Sequence, residues 1–139
     1  MKDWEIKTIV LGYDGSEGAD QAVRLASTLA REHQARIFVV TAFRGAYVDG
    51  LGEQASRKIG TAHVMARELV TKLQAAGIEA EPEVLEGPAG EALLRVAETR
   101  GADVVVVGRR GHGPLAGLLL GSVSEYVVRR ATVPVLVAH

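Results

Sequence analysis

The residues whose types and spacing most directly suggest chemistry are Gly108, Gly111, Gly113, Gly121 and Ser122. Four valines, 104–107, run into Gly108. Arg109 and Arg110 sit between Gly108 and Gly111, and nine residues, His112 to Leu120, separate Gly111 from Gly121-Ser122. A buried strand that feeds a glycine-rich loop and then a helix start is a phosphate-holding arrangement. Glycines allow backbone N–H groups to approach and encircle an anion. The helix start adds unpaired N–H groups and the positive end of a dipole. On this reading Gly108 and Gly111 provide a turn with positive φ and close approach to phosphate.

The neighbouring side chains leave alternatives open. Arg109 and Arg110 are either phosphate clamps or solvated loop charges. His112 has no Ser, Cys or carboxylate beside it in sequence, so it reads as a loop histidine facing phosphate or solvent. Ser122-x-x-Glu125 has the form of a capping box, with Ser122 as the cap and Glu125 returning to its amide. Such a cap still leaves other amides of the helix start for an anion. A second candidate is Asp14-Gly15-Ser16, at the end of the first apolar run. Asp14 suits a sugar hydroxyl or a phosphate-bound Mg²⁺. It is equally good turn chemistry, with Ser16 capping the following helix.

Alternating elements must position these groups. Apolar runs at 8–13, 36–42 and 103–107 read as strands, the last buried on both faces. Residues 78–85 read as an edge strand because Pro82 lies inside it, and 133–138 as a last strand with Pro134 near its start. Helical spacing appears at Ala22, Leu25, Ala26 and Leu29. It recurs at Ile59, Ala62, Ala66, Leu69 and Leu73, ending at Gly77, and at Ala92, Leu93, Val96 and Ala97, between Pro88 and Gly101. Residues 122–130 form the last helix. Residues 45–60, with four glycines and no period, read as a loop. The βαβαβαβαβ alternation predicts one domain, 1–139, with an open parallel sheet and helices on both faces. Ligands in such folds bind beyond the carboxyl ends of the strands.

Composition narrows the function. Sixteen basic and seventeen acidic residues leave a net charge of −1, with no basic field for nucleic acid. Aromatic residues are 4% of the chain and Trp4 is the one indole, a poor basis for base stacking. There is no cysteine, hence no disulfide or thiol nucleophile. The three histidines outside the loop, His33, His63 and His139, have no metal-ligand spacing. The first residues reach charge too soon for a secretory leader, and no apolar run is long enough to span a bilayer. The expectation is a cytoplasmic protein with no membrane or nucleic-acid partner. A P-loop would need GxxxxGK[ST], which is absent, and no lysine lies near the glycine loop. The first loop reads GYDGSEG, not GxGxxG, which argues against a dinucleotide oxidoreductase. A receiver-type switch needs an Asp at a central strand end, where this chain has Gly108 and Thr41-Ala42.

Written as G-x2-G-x9-G-S, residues 108–122 resemble the ATP-binding signature of the universal stress protein family. The flanks agree, with a hydrophobic strand before the first glycine and Gly121, Ser122, Val123, Ser124 and Glu125 as the helix start. The resemblance extends from the strand ending at Asp14 to the closing VPVLVAH. It implies a five-stranded sheet of order 3-2-1-4-5, adenine-nucleotide α-hydrolase-like, with the Asp14 and Gly108 loops side by side. It implies ATP or another adenine nucleotide, with Mg²⁺ reached through Asp14. The binding set is then Asp14, Gly15, Ser16, Ala42, Gly108, Arg109, Gly111, His112, Gly113, Gly121, Ser122, Val123 and Ser124, with adenine read by the main chain of Ala42. Arg109 departs from the small polar residue common in the family at that position. The resemblance also implies a homodimer through the C-terminal strand and a regulatory, stress-response role with little or no catalysis. The alternatives are a slow ATPase and a nucleotide-free protein-interaction module.

Overall fold

The computed structural model describes residues 3–44, 52–109 and 120–139. The elements alternate as β1 (Thr8–Gly12), α1 (Glu17–His33), β2 (Arg36–Phe43), α2 (Gly52–Ala75), β3 (Ala80–Glu86), α3 (Ala89–Arg100), β4 (Val104–Gly108), α4 (Ser122–Arg130) and β5 (Val135–Ala138). The strands form one parallel sheet in the order β3-β2-β1-β4-β5, as the resemblance implies.

The central strands are apolar at nearly every position because both faces are covered. Ile9 and Leu11 point to one side with Ile37 and Val39, against Ala22 and Ala26 of α1 and Ala66 and Leu69 of α2. Val10, Phe38, Val105 and Val107 point to the other, against Leu93 and Val96 of α3 and Val127 of α4. The alternation follows the two-residue period of a strand, so each face of the sheet feeds its own core. Among the described residues, no helix is long and apolar enough to cross a membrane.

Three expectations are corrected. The segment 45–60 is not a loop throughout: α2 already runs from Gly52, and 45–51 lie outside the described residues. Glu53, Gln54, Ala55, Arg57 and Lys58 are good helix formers. They extend a helix that the packed residues beyond Ile59 stabilise, without an apolar stripe of their own. Pro134 precedes β5, and its carbonyl accepts the Val105 N–H at 2.9 Å. β5 itself begins one residue later, so the proline stands at the entry to the strand, where strands accept it. Pro82 does lie within β3, at the sheet edge, opposite Val39.

The third correction concerns the start of α4. Its N-cap is Gly121, with Ser122 the first helical residue, and no side chain caps the end. Glu125 does not turn back to the cap; it pairs with Arg129 one turn on, at 2.9 Å. Ser124, not Ser122, holds the entry. Its hydroxyl donates to the Arg109 carbonyl at 2.8 Å and lies 3.1 Å from the Gly121 carbonyl. Ser16, by contrast, caps α1 as expected, accepting the Ala19 N–H at 3.2 Å.

Candidate functional site

Because β1 and β4 are neighbours, their carboxyl ends open into one crevice. Its space is about 550 Å³, open mouth included, within the range of small-ligand sites. Gly12, Asp14 and Ser16 come from the β1 end, Ala42 from β2, Gly108 from β4 and Val123 from α4. Residues separated by more than ninety positions in the chain thus share one wall.

The β1 loop is held by its own side chains. An Asp14 carboxylate oxygen accepts the Ser16 N–H at 2.9 Å. Gly15 sits at φ +78°, which a residue with a Cβ adopts only under strain, and the Met65 sulfur fills the space beside it. The Tyr13 main chain is fixed from both sides: its N–H donates to Val40 and its carbonyl accepts the Thr41 hydroxyl, each at 3.0 Å. Burial holds the Tyr13 phenol above its ordinary range, helped by the carboxylates of Asp20, Asp14 and Glu68.

Gly108 is needed for a different reason from the one expected. It is not in the left-handed region. A Cβ there would collide with the Gly18 carbonyl oxygen and lie 2.5 Å from its carbon. The glycine lets the start of α1 close over the end of β4, which brings the Asp14 loop beside Gly108. Arg109 and Gly121, at the two ends of the following loop, are tied together: Arg109 N–H donates to Ala138 O, and Arg109 O accepts Gly121 N–H, each at 2.8 Å. With the Ser124 hydroxyl, this staple links the β5 end, the loop mouth and the start of α4.

Asp14 is the one charged side chain among the described residues lining the crevice. A carboxylate repels phosphate, but it accepts hydrogen bonds from hydroxyls and supports a cation already held by phosphate. No group of three His, Asp or Glu side chains among the described residues converges on a metal position. Any Mg²⁺ here would therefore depend on phosphate oxygens for most of its ligands, with Asp14 as protein partner.

Of the sequence candidates, Asp14, Ser16, Ala42, Gly108 and Val123 line the crevice together, with Gly15 in the same turn. Ser122 is exposed at the start of α4. Ser124 is 2% exposed, with its hydroxyl engaged by Arg109, so it positions the loop from beneath. Gly111, His112 and Gly113, with Arg110, lie outside the described residues. Sequence reasoning missed the apolar floor, to which α3 contributes Ala89 and Leu93. The Pro88 helix start was visible, but its closeness to Gly12 depends on the strand order.

A model of the universal stress protein family matches residues 5–139. A universal stress protein of Thermus aquaticus is 37% identical over 137 residues, covering 96% of this chain and 98% of that one. Among solved structures, a universal stress protein in complex with cAMP is 32% identical, with a TM-score of 0.76 over 97% of this chain and 98% of that chain. Universal stress protein UspA from Lactobacillus plantarum shares the fold at 21% identity, with a TM-score of 0.87 over 99% and 100% of the two chains.

Proposed function

This chain belongs to the universal stress protein family, and from that premise we propose that it binds an adenine nucleotide, ATP with Mg²⁺, in the crevice beyond Gly12 and Gly108. The observation that carries this reading is the crevice itself. It has an apolar floor of Val40, Leu93 and Val107 for a flat base and the Asp14 carboxylate at its rim for a sugar. Gly108 and Val123, just before and just after the glycine-rich segment, stand in its wall, and Arg109 and Gly121 are tied to each other beside them, where phosphate is expected. Asp14 takes a ribose hydroxyl and, through phosphate, the Mg²⁺. The main chain of Ala42 reads the base edge. The start of α4, with no side-chain cap, directs amides of Ser122 and Val123 toward phosphate.

The relative at 32% identity is in complex with cAMP, which favours a second reading, a cyclic nucleotide in the same crevice. Under either reading the role is regulatory with little or no turnover, since the chain has no P-loop lysine string. The protein acts as a homodimer through β5, an outer strand whose far edge has no partner strand among the described residues and whose Leu136 is 37% exposed. Two such edges meeting across a two-fold axis satisfy each other's backbone groups.

Calorimetry with ATP and Mg²⁺, and separately with cAMP, tests the reading. Saturable binding of one of them is expected at about micromolar affinity or weaker, since the crevice is open. Gly121→Val puts a branched side chain at the stapled loop mouth and is expected to abolish it. Absence of saturable binding by both nucleotides, or unchanged affinity in a folded Gly121→Val protein, rejects the assignment. Turnover near about ten per second, a typical enzyme value, rejects the non-catalytic role.

A further inference from the structure

The carboxyl end of β2 has two sides, and the crevice uses one. On the other lies a second concavity, between β2 and the first turns of α2, with about 740 Å³ of space, open mouth included. Three of its lining side chains are cationic: Arg44, just past β2, and Arg57 and Lys58 on α2. Among the described residues, no carboxylate lines it, and none of the three cations is in an ion pair. The chain as a whole is balanced, sixteen basic residues against seventeen acidic, so three cations around one hollow with no carboxylate among its described lining residues are a local excess. Clefts lined by one sign of charge focus the field and concentrate counter-ions.

The other walls suit a ligand rather than bulk solvent alone. Arg57, Lys58, Thr61 and Met65 follow one another at the spacing that places residues on one helix face. Thr61 adds a hydroxyl donor, and Phe43 and Met65 add apolar contact. Two guanidinium groups, an ammonium and a hydroxyl match the oxygen-rich surface of a phosphoryl group.

We propose that this concavity is a second ligand site, for a small phosphorylated molecule, separate from the nucleotide crevice. The two sites share Ala42 in their walls. Met65, a wall of the second site, also packs against Gly15 of the crevice loop. A ligand in one therefore lies against structure that shapes the other.

Inorganic pyrophosphate is the probe. The chain has two methionines, Met1 and Met65, so methyl-labelled methionine provides a reporter in the pocket wall, assigned by Met65→Leu. With the full chain, pyrophosphate is expected to shift the Met65 methyl resonance saturably, with calorimetry returning the same affinity. Arg57→Gln with Lys58→Gln, both at exposed positions, is expected to weaken that binding at least about tenfold by removing two charge-assisted contacts, while ATP affinity stays within about twofold. Arg57→Lys, which keeps the charge, is expected to retain most of the binding. The proposal fails if pyrophosphate does not bind, if it binds without moving Met65, or if the double variant binds it as tightly as the parent chain. The ATP titration of the double variant reports on the crevice alone, so failure of one site is not mistaken for failure of the other.

Discussion

Replacing Gly108 by alanine adds one methyl group where the structure has no room for it. The new Cβ would lie 2.5 Å from the Gly18 carbonyl carbon and 3.1 Å from the Ala19 nitrogen, with the Gly18 oxygen closer still. Ordinary carbon–carbon contact is about 3.5 Å or more, so α1 and β4 must part by about 1 Å. Neither yields easily. The obstacle is helix backbone, and the helix is pinned by Ala22 and Ala26, both fully buried. Overpacking of this kind costs about 1–3 kcal/mol, and rigid backbone places Gly108→Ala toward the upper end. Two other glycines calibrate the estimate. At Gly12 the three atoms nearest to a Cβ are methyl groups of Leu93 and Val107, 3.1–3.3 Å away, which can shift by a few tenths of an ångström; the cost is expected below about 1 kcal/mol. At Gly60, inside α2, nothing lies within 4 Å, and alanine is expected to stabilise by up to about 1 kcal/mol through helix propensity. Urea unfolding of the three variants is the assay, with ΔG compared at unchanged m. The expected order of stability is Gly60→Ala, parent chain, Gly12→Ala, Gly108→Ala. A Gly108→Ala protein within about 0.5 kcal/mol of the parent, the scatter of ordinary surface changes, refutes the claim that this contact sets the helix against the strand.

The Ser16→Ala variant loses the α1 cap to Ala19 and is expected to cost about 1 kcal/mol in the same unfolding assay. Ser124→Ala removes the Ser124 hydroxyl from the Arg109 carbonyl, which keeps the Gly121 N–H; a loss of about 1 kcal/mol is expected, together with weaker nucleotide binding by calorimetry, because the loop mouth loosens. The Tyr13 phenol is held above its usual value in the folded chain, so the unfolded chain gives up its proton first as pH rises. The stabilisation is whole below about pH 10, the ordinary tyrosine value, and is lost above it; Tyr13→Phe is expected to flatten that alkaline decline in urea midpoints. Leu136→Glu puts a charge on the outer edge of β5 and is expected to convert a dimer into a monomer in sedimentation equilibrium, whereas a parent chain that is already monomeric at micromolar concentration removes the β5 interface.

Much of the architecture is written in short stretches of the chain. The valine run before Gly108, Pro82 in an edge strand and Ser16 ahead of α1 each act through neighbours a few residues away, so type and spacing suffice to read them. The same holds for the order of elements and for the pairing of Asp14 and Gly108 loops once the sheet order is known. Ser122 and Ser124 mark where such reading stops. Both are serines at a helix start, and a capping pattern selects Ser122, yet Ser124 reaches the Arg109 carbonyl fifteen residues away. Gly108 looks like a loop glycine until Gly18 arrives above it from the other end of the chain. Ala89 and Leu93 join the crevice floor, and Arg44 joins Arg57 and Lys58, through strand order and helix placement. These contacts are set by packing two helices on each face of one sheet, and distances across that packing have no counterpart in the spacing of residues along the chain.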